Sequence, residues 1–448
     1  MSKFHQDENF EKLFASSHPV ISEELIDAVP TKVTDRMNSI LLQEFQATEV
    51  ERALKQMHPL KAPGLDGMPP LFYQHFWPTV NSVVIHTVLD FVNHGVAPPN
   101  FHETHIVLIP KNKSLERVID YRPISLCNVA YKLASKTVAN RLKAVLKDIV
   151  CENQSAFVSD RHITDNVLVA HEIMNHIKNK RQGKWGEMAL KLDMGKAYDR
   201  VEWGCLQQIM LKLGFHENWV RIVMKCVSPV TYAVCINGIP RGEIKPMRGL
   251  RQGDPLSPYL FILCAEGLSA LLHKAVQNKS LKGVAASARG LKISHLFFAD
   301  DSLIFGKATI QECLEIQRVM QVYEASSGQQ LNRNKTSLFF SRNTGNGTKE
   351  AIKAMFGAQI IKPHESYLGL PSLVGRSKRN SFAQLKERMA NKLAGWKEKL
   401  LSNAGKEILI KAVAQAVPAY TMSCFKLPNT LCDELTGMVK QFWWGQKK

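Results

Sequence analysis

His295-Leu-Phe-Phe-Ala-Asp-Asp-Ser-Leu-Ile-Phe305 sets two adjacent carboxylates, Asp300 and Asp301, between apolar runs. The runs Leu291 to Phe298 and Ser302 to Phe305 predict two short strands joined by a tight turn at Ala299-Asp300-Asp301. Two neighbouring carboxylates in such a setting are costly to bury unless a cation neutralises them. Two readings stand side by side: a solvated hairpin turn that carries two Asp, or a metal site.

A second stretch bears on that choice. Met188-Ala-Leu-Lys-Leu-Asp193 alternates as a strand, with Leu190 and Leu192 on one face and Lys191 and Asp193 on the other. A strand-end Asp can also cap a helix. Three aspartates at the ends of apolar strands fit a two-metal phosphoryl-transfer site, whose divalent ions lie about 3.5–4 Å apart. Carboxylate ligands suit Mg2+, with Mn2+ as a substitute.

Around these strands the pattern mixes helix and strand, an α+β class. Thr48-Glu-Val-Glu-Arg-Ala-Leu reads as a capped helix start, and Lys61-Ala-Pro-Gly-Leu-Asp-Gly-Met-Pro-Pro as a turn cluster. An amphipathic stretch covers Leu71 to about His94, and Ile106-Val-Leu-Ile-Pro predicts a short buried strand. Helices are expected over Val129 to Ile149, Lys196 to Leu213 with a stop at Gly214, and Ser257 to Gln277 with Ser257 as cap. A further helix spans Thr309 to Ser327, closed by Gly328. Tyr232 to Ile236 and the strand after Asn237-Gly238 make a hairpin. After Tyr367-Leu-Gly-Leu the chain is helical and rich in lysine.

The 448 residues carry 58 Lys+Arg against 40 Asp+Glu, a net charge of +18, which suits a phosphate-rich partner. Nine scattered cysteines without C-x-x-C spacing argue against a zinc site or a disulfide framework, and point to an intracellular protein of nucleus or cytoplasm. No run approaches 18 apolar residues, so no membrane partner is expected. The N-terminus has no apolar signal core.

The order of motifs resembles the reverse transcriptase domain of non-LTR (LINE-type) retrotransposons, the plant branch most closely, from about Thr48 to the C-terminus. The blocks are Lys-Ala-Pro-Gly-Leu-Asp-Gly (61–67), Ile-Pro-Lys (109–111), Tyr-Arg-Pro-Ile-Ser (121–125) and Lys-Leu-Asp-Met-Gly-Lys-Ala-Tyr-Asp (191–199). They continue with Arg-Gln-Gly-Asp-Pro-Leu-Ser-Pro (251–258), Phe-Ala-Asp-Asp (298–301), Leu-Asn-Arg-Asn-Lys-Thr (331–336) and Tyr-Leu-Gly (367–369).

The resemblance implies an RNA-directed DNA polymerase with a right-hand fold of fingers, palm and thumb and an antiparallel palm sheet. Residues 1–60 would be an N-terminal extension, 61–187 fingers, 188–375 palm and 376–448 a truncated thumb. It implies Asp193, Asp300 and Asp301 as catalytic metal ligands and Lys335 as a proton donor to pyrophosphate. Lys111 and Arg122 would grip the triphosphate, Tyr198 would be a steric gate against ribonucleotides, and Gln252 and Gly253 would contact nucleotide and template. Gly195 replaces a usual Ser, and Ser159-Asp160 a usual Pro-Gly. The implied partners are an RNA template, a DNA primer and dNTPs. Endonuclease and C-terminal domains of a parent polyprotein are expected but missing from the sequence. The alternative is an inactive nucleic-acid-binding remnant.

Overall fold

A computed structural model describes residues 10–111, 120–287, 290–360, 366–375, 378–394 and 401–445. Strands β1 (Glu103–Pro110), β2 (Tyr121–Cys127), β4 (Thr231–Ile236) and β5 (Ile239–Ile244) form one sheet in the order β2-β1-β4-β5. Strands β3 (Glu187–Leu192), β6 (His295–Phe298), β7 (Asp301–Lys307), β8 (Ser337–Phe340) and β9 (Gln359–Ile360) form the other, in the order β6-β7-β3-β8-β9. The molecule is thus a mixed α+β fold.

β3 lies at the centre of the five-stranded sheet, antiparallel to both β7 and β8. The period of two sends alternate side chains to opposite faces. Leu190, Ile304 and Leu338 enter the main core, while Ala189, Leu303 and Phe305 pack in a second core against Ala170, Ile173 and Ile177 of the Ile163–Asn179 helix. The sheet departs from a purely antiparallel expectation at its edge, because β9 runs parallel to β8. In the other sheet, β1 and β4 are parallel.

The main core is built on the helices Val129–Ile149, Ser257–Gln277 and Ile310–Ser327. The Ser257–Gln277 helix is long and apolar enough to cross a membrane, against the sequence expectation, and most of it is buried inside the protein. Leu25, Leu41, Phe45 and Val50, from the first 60 residues, pack into the same core. A separate cluster joins Leu385, Met389, Leu431 and Leu435 of the C-terminal helices Ala383–Ala394 and Asn429–Trp444. All nine cysteines are free thiols.

Several local expectations shift. The expected Lys196–Leu213 helix begins only at Trp203, after a 3-10 turn at Tyr198–Arg200. Lys196 has φ 57°, a left-handed conformation that an α-helix cannot contain, and Glu202 is extended. The strand expected from Leu291 starts at His295; Leu291 is 80% exposed, with no core to face. The expected Ser257 cap is a first-turn residue, and the N–H of Leu256 is satisfied by Asp254 Oδ1 at 2.8 Å. The helix read from Thr48 spans Ala47–Lys55, with the Gln46 N–H donating to Glu49 at 3.0 Å. Asn237 and Gly238 take φ 52° and 79°, as a two-residue hairpin turn requires.

Candidate active site

The β3–β7 register pairs Leu192 with Ser302, so the chain ends that carry Asp193 and Asp300 emerge side by side. They open into a cavity of about 610 Å³. β6 and β7 close at the pair Phe298–Asp301, leaving Ala299 and Asp300 as the turn. Ala299 has φ 54°, a left-handed conformation that is rare for a residue with a Cβ. Such backbone persists only where the surroundings hold it.

Three residues outside the sequence motifs hold that hairpin. Gln154, buried, accepts the Ala299 N–H at 3.1 Å through Oε1. Asn166 Nδ2 donates to Phe297 O at 2.7 Å, and Asn153 Nδ2 to His295 O at 2.7 Å. The backbone adds bonds between Phe297 and both Asn153 and Ser155, so residues 153–155 act as an extra edge for β6. The polar run Glu-Asn-Gln-Ser (152–155) was the available signal, but its partners lie some 140 residues away.

Asp193 is fixed from the segment before β8. Asn332 donates its backbone N–H to Asp193 O at 2.8 Å and its side chain to Asp193 Oδ2 at 3.1 Å. Lys335 Nζ stands 3.6 Å from the same oxygen, with its side chain 68% exposed. Lys335 therefore reaches the cavity as a partner of Asp193. Lys335 is legible in the sequence through its motif, whereas the role of Asn332 three residues earlier appears only in the fold.

Asp300 presents its carboxylate at the exposed hairpin tip, yet it sits in a concave site. Desolvation there, followed by the charge of Asp193, raises its pKa. Desolvation and Asp300 likewise raise Asp301. Asp301 does not line the cavity. It is the first residue of β7 and shares the face of Leu303, where Lys191 and Tyr367 are its electrostatic neighbours. The structure thus brings Asp193 and Asp300 together in the cavity lining, while Asp301, the first residue of β7, lies outside that lining yet still feels the charges of Asp300 and Asp193.

Tyr198 lines the cavity from the 3-10 turn, with its ring stacked on Phe261 at 4.9 Å between centroids and 10° between planes. Burial, then the charge of Asp300, raises its pKa. Gln252 and Gly253 line the same cavity. Their loop is anchored by buried neighbours in the same motif. The Arg251 guanidinium lies 4.1 Å over the Tyr131 ring and donates to Cys226 O at 2.6 Å, while Asp254 accepts from the Tyr131 hydroxyl at 2.5 Å. Gly253 has φ 116°, and a Cβ there would stand 3.1 Å from Ser125 O, so the motif needs glycine.

The cation-bearing residues Lys111, Arg122, Lys196 and Lys335 line the same cavity. Lys111 is shifted down by desolvation and then by the charges of Lys196, Lys335 and Arg122. Lys196, which the sequence marks only as a helix start, arrives there through its left-handed turn. A polyanion entering this cavity would relieve the mutual repulsion of the cations.

Among the described residues, no three His, Cys, Asp or Glu side chains form a ready metal cage. The pair Asp193 and Asp300 still fits a hard divalent ion. Mg2+ is typically bound by one or two carboxylates, water and substrate phosphates rather than by an all-protein cage. The raised pKa of Asp300, from desolvation and then from the charge of Asp193, marks the unfavourable negative charge that such an ion would offset.

A family model described as reverse transcriptase (RNA-dependent DNA polymerase) matches residues 109–371, more than half of the chain. An uncharacterized 149 kDa protein of transposon TX1 from Xenopus laevis is 27% identical over 434 residues, 95% of this chain and 32% of that protein. A Pol polyprotein from a type-1 retrotransposable element R2 of Popillia japonica is 27% identical over 258 residues, 57% of this chain and 34% of that one. An uncharacterized mitochondrial protein of Arabidopsis thaliana is 53% identical over 78 residues, 16% of this chain and 64% of its own length. The chain spans about a third of the length of the first two of these relatives.

Proposed function

The chain belongs to the reverse transcriptase (RNA-dependent DNA polymerase) family, and on that premise we propose that it is the polymerase part of a LINE-type retrotransposon polyprotein, transferring nucleotides from dNTPs to a primer 3′-hydroxyl on an RNA template. The observation that carries this reading is one cavity lined by Asp193 and Asp300, by Lys111, Arg122, Lys196 and Lys335, and by Tyr198 with Gln252. Carboxylates for metal, cations for a triphosphate and an aromatic ring beside them are what nucleotidyl transfer needs.

When bound, divalent metal, Mg2+ in this reading, would activate the attacking hydroxyl and steady the leaving pyrophosphate. Asp193 and Asp300 would hold it, and Asn332 keeps the Asp193 carboxylate in place. Asp301 contributes negative field from the neighbouring face. Lys111, Arg122 and Lys196 receive the phosphates. Lys335, paired with Asp193, is placed to give a proton to the departing pyrophosphate. Tyr198 walls the sugar, and Gln252 with Gly253 borders the nucleotide and template.

The right-hand arrangement of fingers (61–187), palm (188–375) and thumb (376–448) after an extension (1–60) is proposed on the same family ground. The plant origin rests on the Arabidopsis likeness. Endonuclease and C-terminal domains of a parent polyprotein agree with the greater length of the relatives. The site of action is proposed to be the nucleus or cytoplasm, where such a template would be met. Primer extension by purified protein with dNTPs on an RNA template tests the reading. Incorporation that needs divalent metal supports it, and no incorporation on RNA or DNA templates would overturn it.

A further inference from the structure

Asp199 is used neither as a metal ligand nor as a substrate contact, and it is 2% exposed. One oxygen, Oδ1, accepts from Gln252 Nε2 at 3.0 Å, and the other has no hydrogen-bond partner. Burial of a carboxylate that is only half satisfied is expensive, so its position needs a cause. The backbone around it is tied to the loop of Gln252. Leu250 N–H donates to Tyr198 O at 2.8 Å, and Gly249 N–H to Val201 O at 2.8 Å. Gly249 has φ 98°, and a Cβ there would stand 2.8 Å from Asp199 O. The turn that carries Tyr198 and the loop that carries Gln252 are therefore closed on each other.

An ionised carboxylate only accepts hydrogen bonds. Gln252 must then direct its NH2 toward Asp199, which leaves its carbonyl oxygen for the cavity. A neutral Asp199 could donate to that oxygen instead, and the amide could turn over and offer NH2 to the cavity.

We propose that Asp199 is a positioning residue for nucleotide binding, holding the Gln252 side chain in the orientation that presents a hydrogen-bond acceptor to the incoming nucleotide. The proposal rests on the polymerase reading of the cavity. The groups that face Asp199 are Gln252, Lys111 of the segment after β1, Lys196 and Arg200 of its own turn, and Tyr232 of β4. Burial outweighs these cations and lifts its pKa to about 6. Orientation should accordingly weaken as pH falls through that value.

The test measures the KM and kcat of primer extension, equilibrium binding of dATP, and Tm, between pH 5.5 and 8. The proteins are wild type, Asp199→Asn, Gln252→Met and the double variant. Asp199→Asn should raise the KM for dATP about tenfold, the loss of one charge-assisted hydrogen bond, with kcat much less changed. It should add nothing in the Gln252→Met background, because the two act as a unit. The rise of KM near pH 6 in the wild type should vanish in both single variants. An Asp199→Asn effect that persists undiminished beside Gln252→Met, or an unchanged KM, would overturn the lock. Should Asp199→Asn fail to fold, a pH profile in Gln252→Met that matches the wild type would overturn it equally. Failure of the polymerase reading has a different signature: wild type that neither extends a primer nor binds dATP, which would remove the lock's purpose as well.

Discussion

Asn332 reaches Asp193 twice, through its backbone N–H at 2.8 Å to the carbonyl and through its side chain at 3.1 Å to Oδ2. A single residue in the segment leading into β8 thus fixes both the strand end and the rotamer of a cavity carboxylate. Asn332→Ala should lower kcat by about tenfold or more, since small misplacements of reacting groups carry costs of that order. Template affinity should stay within error. Steady-state extension with a filter-binding assay checks this, and an unchanged kcat would show that Asp193 holds its place without Asn332.

Asp300→Ala should abolish extension and spare template binding. The side chain sits at an exposed hairpin tip, so folding does not depend on it. Loss of a metal ligand removes stabilisation worth several kcal/mol. Asp301→Ala provides the contrast, because its carboxyl lies off the cavity. A smaller loss is expected there. Equal losses in the two variants would argue for a different arrangement of carboxylates during the reaction.

For sugar selection, Tyr198→Val should accept ribonucleotides far more readily, with deoxynucleotide incorporation reduced less. A clash worth about 3–4 kcal/mol corresponds to a few hundredfold in relative kcat/KM. Val also loses the stack on Phe261, worth about 0.5–1.5 kcal/mol, so Tm should fall. Tyr198→Phe keeps the ring and should keep the discrimination. An unchanged ribo-to-deoxy ratio in the Val variant would leave Tyr198 as a packing residue only.

Arg248 and Glu202 form a buried ion pair at 3.2 Å, and Glu202 also accepts from Ser16 and Ser17. Arg248→Met should destabilise by about 3 kcal/mol, the low end for a broken buried pair, because the serines still satisfy part of Glu202. Urea unfolding measures it. A midpoint equal to the wild type would mean that the pair adds nothing over an apolar neighbour.

His295 is fully buried between Ser269 and Ser294, each 2.9 Å from a ring nitrogen, and its pKa is pushed well below the ordinary value by burial and then by His273. The unfolded chain takes up a proton near pH 6.5 that the folded ring refuses. Stability from this group is full above that pH and falls as pH drops below it, by about 1.4 kcal/mol per unit. His102, His171 and His273 are lowered too and act in the same sense. Asp199 acts oppositely, favouring the folded state as it protonates below about pH 6. His295→Gln should flatten the decline in Tm between pH 6.5 and 5. A slope identical to the wild type would show that His295 does not govern it.

Local pattern made much of this protein legible before its fold was known. The Val129–Ile149 helix, the β4–β5 hairpin and the Gly328 stop follow from periodicity and turn residues, whose effects act within a turn or two of the chain. The motif order likewise named the residues that meet in one cavity, Asp301 excepted. Three matters depended on tertiary contacts. The 196–202 segment abandons a helix for a left-handed turn because it closes on the 249–252 loop, whose bonds outweigh local propensity. Asp301 leaves the cavity because the hairpin register fixes its face. Asn332, Gln154 and Asp199 act on partners 139, 145 and 53 residues away. A side chain's intrinsic preference says nothing about a partner that the tertiary fold brings to 3.0–3.1 Å, so these residues emerge only from the folded chain.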